Sequence, residues 1–407
     1  MANRLGIKQS AYPQSFATHY WDKVVDTVNA GKFTVFSLFF KNKKALKNMQ
    51  ADLSLGFAEG YKAGEIEVTF ADGYDLRDVV RAFYASKFTV VALVRMLPGL
   101  LKRFLKYVFW FNTKKRAGKN AQAHYDLPPQ LYTNMLDRNQ NYSCAMPESV
   151  NDSLEDAQID KNRIISEKLR IKSGDVIGEI GCGWGAYMGQ TANSYYGLKI
   201  HGITLSLEQY DSVSQALRYC KKNTDSECFV YLADYRDLPK MFKPGTFNKI
   251  VVVGMPEHIG HNRLQKFCDI CYESLPEGGS MLLQTITKEK WGLPDSFTMK
   301  YIFPGGDIPY NKSVFRCLRR AGFTINHIEY FGSSYAWTLN KWRENFYANW
   351  EERVKPYIKF MPPEQFKRMW DFYLSGAEIS FETGNLNEMQ VLVSKGVPVE
   401  RREFKLS

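Results

Sequence analysis

The chain has 407 residues, 44% of them apolar, and 54 Lys and Arg against 43 Asp and Glu give a formal net charge of +11. That makes room for two domains, or one large domain with an extension, around a sizeable core. Seven scattered cysteines read as free thiols rather than a disulfide frame, and neither a signal core nor an apolar run of about 18 residues is present, so the sequence predicts a cytoplasmic protein without a transmembrane helix.

From the N-terminus, Trp21–Asn29 reads as a helix, followed by the apolar run Phe33–Phe40 and the cluster Lys41, Lys43, Lys44 and Lys47. Gly56–Gly64 is turn-rich, Glu65–Phe70 alternates like a short strand, and Asp75–Tyr84 reads as a helix. Residues 1–120 carry 20 Lys and Arg against 9 Asp and Glu, an excess of 11 that accounts for the net charge of the whole chain. Such a field attracts a polyanion, either nucleic acid or an anionic membrane face. Within 81–120, which hold ten Lys and Arg and no acid, Leu97, Leu100, Leu101, Phe104, Leu105 and Val108 recur at helical steps, and Tyr107, Phe109, Trp110 and Phe111 close the segment. It reads either as a helix lying flat on anionic lipid or as a core-facing helix with a basic outer side. Nothing here resembles a nucleic-acid recognition helix or stacking sheet, so no nucleic-acid partner is expected. Gly118–Ala123 marks a linker between a basic N-terminal α+β domain at 1–118 and a second domain at 119–407.

The second domain opens with His124-Tyr-Asp-Leu127, Leu131–Leu136 and Asn141-Tyr-Ser-Cys-Ala145, and a helix at Gln158–Leu169 is predicted from the spacing of Ile159, Ile164, Ile165 and Leu169. Then comes the pivot: an apolar strand around Val176, Ile177 and Ile180, followed by Glu179, Gly181, Gly183 and Gly185 at two-residue steps. The third glycine of the dinucleotide pattern is Ala186. Glycines in a strand-to-helix turn let a ligand approach the backbone closely, so the turn points to a nucleotide-like cofactor. Read as a methyltransferase turn, the glycines bend under S-adenosylmethionine, and Glu179 braces the loop or the ligand's amino group. Strands at Lys199–Leu205, Cys228–Leu232, Lys249–Val253 and Gly279–Ile286 alternate with helices at Glu208–Lys221 and Leu264–Leu275. That alternation predicts a Rossmann-like doubly wound α/β sheet with ligands at the strands' carboxyl ends. A helical stretch at 340–376, rich in Trp and Tyr, is expected to cover the site. No metal is expected: His258 and His261 lack the helical zinc spacing and a third ligand, and Cys268 and Cys271 read as inward or neutral helix positions.

Several stretches together resemble the cyclopropane-fatty-acyl-phospholipid synthase family. They are His124-Tyr-Asp-Leu, Tyr142-Ser-Cys-Ala, Glu179-Ile-Gly-Cys-Gly-Trp-Gly, Gly202-Ile-Thr-Leu-Ser-Leu-Glu-Gln209, Asp234-Tyr-Arg-Asp-Leu238, Gly254-Met-x-Glu-His-Ile-Gly260, Lys300-Tyr-Ile-Phe-Pro-Gly305 and Phe331-Gly-x-x-Tyr335. The resemblance spans about residues 50–395 and implies an S-adenosylmethionine-dependent methyltransferase that modifies double bonds in phospholipid acyl chains. It places the cofactor against Tyr142, Ser143, Glu179, Gly181, Gly183, Thr204, Gln209, Asp234 and Tyr235. Asp234, ending the third strand, is expected to face the exocyclic amine. The family's base is a bound bicarbonate ion, which the resemblance puts against Cys144, Glu257, Gln284, the backbone at Ile286, and Tyr335. A strong fixed carboxylate or thiolate beside the cationic intermediate could itself be alkylated.

The chain departs from the family in three places. Gln284 stands where the family has His; it can donate a hydrogen bond but cannot be charged or relay a proton. Pro256 replaces a common aromatic before Glu257, and no Cys occurs in Phe372–Phe381. The expected reaction is therefore cyclopropanation, or methylation of the same alkene without ring closure. More distant readings are N-methylation of a small amine and a lipid-binding protein with a dead cofactor site. The expected location is the inner face of the membrane, bound peripherally to anionic lipid, and a homodimer is left open.

Overall fold

The computed structural model describes residues 35–85, 101, 104, 114, 127–219, 224–290 and 292–396. The expected helix at Trp21–Asn29, the linker Gly118–Ala123 and the basic segment at 86–120, apart from Leu101, Phe104 and Lys114, lie outside them. The described residues fall into two compact units. One takes its members from Met1–Trp110, Leu293–Ile302 and Trp350–Ser380, the other from Phe111–Gly292, Phe303–Asn349 and Phe381–Ser407.

In the first unit, β1 (Phe36–Phe40) pairs antiparallel with β2 (Ile66–Phe70). Between them run α1 (Lys43–Ala51) and α2 (Leu53–Ala63), and α3 (Leu76–Ala85) follows. Asn42 and Asp52 cap α1 and α2, each side-chain oxygen accepting a backbone N–H three residues on. The glycines at 56–64, read above as turns, lie inside α2 except the last. A Cβ on Gly56 would sit 2.3 Å from the backbone of Asn48, and one on Gly60 2.5 Å from the Ile66 side chain. Two of these glycines thus permit close packing, and only Gly64, at φ 70°, ends the helix. From Trp350 onward, the aromatic stretch predicted at 340–376 belongs to this unit, with Trp350, Phe366 and Trp370 fully buried.

The second unit is built on a sheet with seven strands among the described residues, in the order β5-β4-β3-β6-β7-β9-β8. The five predicted strands are present as β3 (Val176–Ile180), β4 (Lys199–Thr204), β5 (Glu227–Leu232), β6 (Lys249–Val253) and β7 (Ser280–Thr287), all parallel. β8 (Thr324–Tyr330) and β9 (Asn387–Ser394) were not predicted, and β9 lies between β7 and β8, antiparallel to both. The helices of this unit include α4 (Pro129–Met135), α5 (Leu154–Leu169), α6 (Ala186–Ser194), α7 (Leu207–Tyr219), α8 (Pro256–Ile259), α9 (Leu264–Ser274), α10 (Asn311–Ala321) and α11 (Gly332–Asn349). Alternate strand residues serve opposite faces. Ile177, Ile200, Val251, Leu282 and Leu392 pack with Ile165, Leu169 and Met188, while Ile180, Ile250, Val252, Leu283 and Val391 pack with Phe267, Cys268 and Cys271. Covering both faces leaves the strand ends as the place for polar side chains. Among the described residues, no helix is long and apolar enough to cross a membrane.

Candidate active site

The turn after β3 is held by Gly181 and Cys182, whose N–H groups both donate to the Ile203 carbonyl on β4. Gly183 takes φ 53° with open space where a Cβ would stand, so the turn's geometry and access past it, not packing, call for glycine there. Around this turn Tyr142, Ser143, Glu179, Gly181, Gly183, Thr204, Gln209, Asp234 and Tyr235 all line one pocket. Thr204 donates to Gln209 Oε1 at 2.7 Å. Asp234 does not present a free carboxylate: Arg236 clamps it through Nε at 2.6 Å and Nη2 at 2.5 Å. The Tyr235 hydroxyl is buried without a partner.

Glu179 is a buried acid of the pocket that no cation clamps. Its Oε2 has no partner, and burial lifts its carboxyl to about 8 against the pull of Lys161. Lys161 was missed in the sequence, because α5 was read by its isoleucines. Ile159 is in fact 41% exposed, and the inward face is Gln158, Lys161, Asn162, Ile165 and Ser166. The Lys161 ammonium donates to Asn141 Oδ1 and Ser143 Oγ, both at 3.0 Å. An orphaned carboxylate oxygen, a buried cation beside Ser143 and a glycine turn fit the charged methionine end of S-adenosylmethionine.

A second cluster adjoins the pocket through the chain itself, since Ser143 and Met255 line the pocket and Cys144 and Glu257 stand in the cluster. Glu257 lies on α8, whose first residue, Pro256, is suited to a helix start. Glu257 Oε1 accepts from the Thr285 hydroxyl at 2.9 Å and from the Ile286 N–H at 2.5 Å, while Oε2 has no partner. Burial lifts this carboxyl to about 7. Cys144 is wholly buried, and burial pushes its thiol well above the ordinary range, so it stays neutral. Tyr335 on α11 packs with Cys144, Met146 and Phe331, and stacks on Phe381 at 4.4 Å.

Gln284 is oriented by a chain of donors. Lys168, which can only donate, binds Gln390 Oε1 at 2.6 Å, so Gln390 turns its amide N–H to Gln284 Oε1 at 2.9 Å. The Gln284 NH2 group then faces the Cys144 carbonyl, 3.4 Å away, and the Glu388 carboxylate. Glu388 was also missed. It sits on β9 opposite Ile286 of β7, is 2% exposed, and leaves Oε2 without a partner. Burial, and then the charge of Glu257, push its carboxyl well above the ordinary range. The alternation of Glu388 and Gln390 with apolar residues in Asn387–Ser394 was the available signal.

These partners bear on the expected bicarbonate ion. The Ile286 N–H is spent on Glu257, the Gln284 NH2 faces Cys144 and Glu388, and two buried carboxyl groups share the space. The residues present do not fit a further anion. Among the described residues, no group of three or more His, Cys, Asp and Glu side chains could hold a metal ion. Burial lowers the His258 pKa to about 4, and His261 Nδ1 lies 2.7 Å from Asp307 Oδ2.

The family model described as "Mycolic acid cyclopropane synthetase" matches residues 112–391, and one described as a domain of unknown function matches residues 7–92. The cyclopropane-fatty-acyl-phospholipid synthase of Escherichia coli is 33% identical over 362 residues, 88% of this chain and 87% of that protein. A probable fatty acid methyltransferase of Pseudomonas putida is 34% identical over 288 residues, 69% of this chain and 70% of that protein. Among solved structures, a mycolic acid cyclopropane synthase complexed with SAH and CTAB superposes with a TM-score of 0.61 at 32% identity, covering 68% of this chain and 98% of its own.

Proposed function

Because the chain belongs to the mycolic acid cyclopropane synthetase family of S-adenosylmethionine-dependent enzymes, we propose that it methylates a cis double bond in a phospholipid acyl chain and closes a cyclopropane ring. The observation that carries this reading is the joint between the cofactor pocket and the cluster at Cys144, Glu257, Gln284 and Glu388. A cis alkene is a poor, uncharged nucleophile, so it needs a dry place in line with an electrophilic methyl group and a negative field for the cation that follows. The cofactor supplies that methyl. Glu179 and Ser143 would hold its charged end, Gly181 and Gly183 would let it lie against the backbone, and Tyr235 would border its ring. The buried carboxyls of Glu257 and Glu388 favour positive charge on the acyl chain, and the neutral Cys144 thiol offers no competing nucleophile.

A second reading, methylation without ring closure, is favoured by Gln284. Its neutral amide is locked by Gln390 and cannot relay a proton. The basic excess within residues 1–120 supports peripheral binding to anionic membrane. The test is incubation with S-adenosylmethionine and vesicles of unsaturated phospholipid, followed by acyl-chain mass analysis. The expected product has one more carbon and no double bond. A retained double bond selects the second reading, and methyl found only on nitrogen or oxygen overturns both.

A further inference from the structure

We propose that Glu388 is the base that closes the ring in this chain, a carboxylate of the protein itself taking the part that the family resemblance gives to bicarbonate. The inference rests on the alkene-methylation reading above and adds to it a catalytic residue.

Glu388 stands at the carboxyl end of β7, as the register partner of Ile286. The Glu257 carboxylate holds the Ile286 N–H, and Gln284 turns its NH2 toward Glu388, so Glu388 belongs to the cluster that adjoins the cofactor pocket. Its Oε2 is buried and unpartnered, as is that of Glu257. An unpartnered buried carboxyl oxygen is destabilising, and such groups collect where chemistry uses them. Among the described residues, the cation that bears on Glu388 is Lys161, whose ammonium already serves Asn141 and Ser143. A bicarbonate ion would have to enter with the Ile286 N–H and the Gln284 NH2 group already taken. A carboxylate already in place needs none of them.

The step balances without another reactant. The alkene π pair forms a bond to the methyl carbon as the bond from that carbon to sulfur breaks, its electrons staying on sulfur. Glu388 then takes a proton from the added methyl group, and the pair of that C–H bond forms the second ring bond to the cationic carbon. The lipid leaves neutral, and the proton on Glu388 passes to water when the site reopens. The sulfonium charge, and then the acyl cation, favour the ionised form that this step requires. Capture of the cationic carbon by Glu388 is avoided when its oxygen meets the C–H bonds of the added methyl group and not the cationic carbon itself.

The test uses the full chain with unsaturated phospholipid vesicles in carbon-dioxide-free buffer, comparing wild type with Glu388→Gln and Glu388→Ala. Folding and cofactor binding are checked by thermal melting and titration, and Glu388→Leu serves as a second variant should the others unfold. The wild-type rate is expected to be unchanged without bicarbonate. Glu388→Gln is expected to lose about 100-fold or more in ring closure with cofactor affinity kept, and formate is expected to restore part of the rate to Glu388→Ala. A wild type that stops without bicarbonate and restarts with it, or a folded Glu388→Gln or Glu388→Leu with undiminished ring closure, overturns the assignment while leaving the reaction standing. A wild type that gives no lipid product in any buffer overturns the reaction, and the base with it.

Discussion

At the scale of single residues, the site keeps more carboxyl groups in its interior than its cations can match, and each makes a measurable statement. Glu179, lifted to about 8, is in large part neutral at neutral pH before an ammonium group binds beside it. Binding an ammonium group favours its charged form, so cofactor affinity is expected to rise from about pH 6 to pH 8 and then level. Glu179→Gln is expected to weaken binding about 10- to 100-fold and to flatten that rise, read by titration calorimetry. Glu257 makes the converse statement about stability. Its folded pKa of about 7 lies above the ordinary 4.5, so between these values the folded protein keeps a proton that the unfolded chain has lost. Stability therefore falls as pH rises through that window and is level on either side. Glu257→Gln, which keeps an acceptor for the Ile286 N–H, is expected to gain on the order of 3 kcal/mol relative to wild type between pH 4 and pH 8, followed by thermal melting.

At the scale of elements, the glycines of α2 and the strand β9 carry the packing claims. Gly56→Ala would force a methyl group against the Asn48 backbone, where nothing can yield, and is expected to destabilise the first unit by about 1–3 kcal/mol in denaturant unfolding. Legibility in the sequence followed local pattern. The strands β3, β4, β6 and β7 were readable because runs such as Lys249–Val253 are β-branched and bounded by turns. β9 was not read, although Glu388 and Gln390 alternate with Met389 and Val391, because that alternation marks a half-buried strand and this one is buried on both faces. The same held for α5, where Lys161 and Asn162 occupy the buried face and hide its true orientation. Residues of the pocket were found through motifs, while Asp234's clamp by Arg236 depends on side-chain geometry two residues apart, which no motif states.

At the scale of the whole molecule, charge and chemistry are divided along the chain. The formal excess of 11 positive charges lies within residues 1–120, and the glycine turn and both carboxyl clusters lie after it. Binding to anionic vesicles is expected to exceed binding to neutral ones and to weaken as salt rises, because the Debye length shrinks to about 3 Å at 1 M. Equal binding to both in a sedimentation assay would contradict a charge-led membrane contact. The most direct measurement is mass analysis of acyl chains after reaction with S-adenosylmethionine carrying a fully deuterated methyl group. The expected result is a ring-containing chain, one carbon longer, that keeps two of the three deuterium atoms, because the third leaves with the base. A chain with a double bond and all three, or label found only on nitrogen or oxygen, would contradict it.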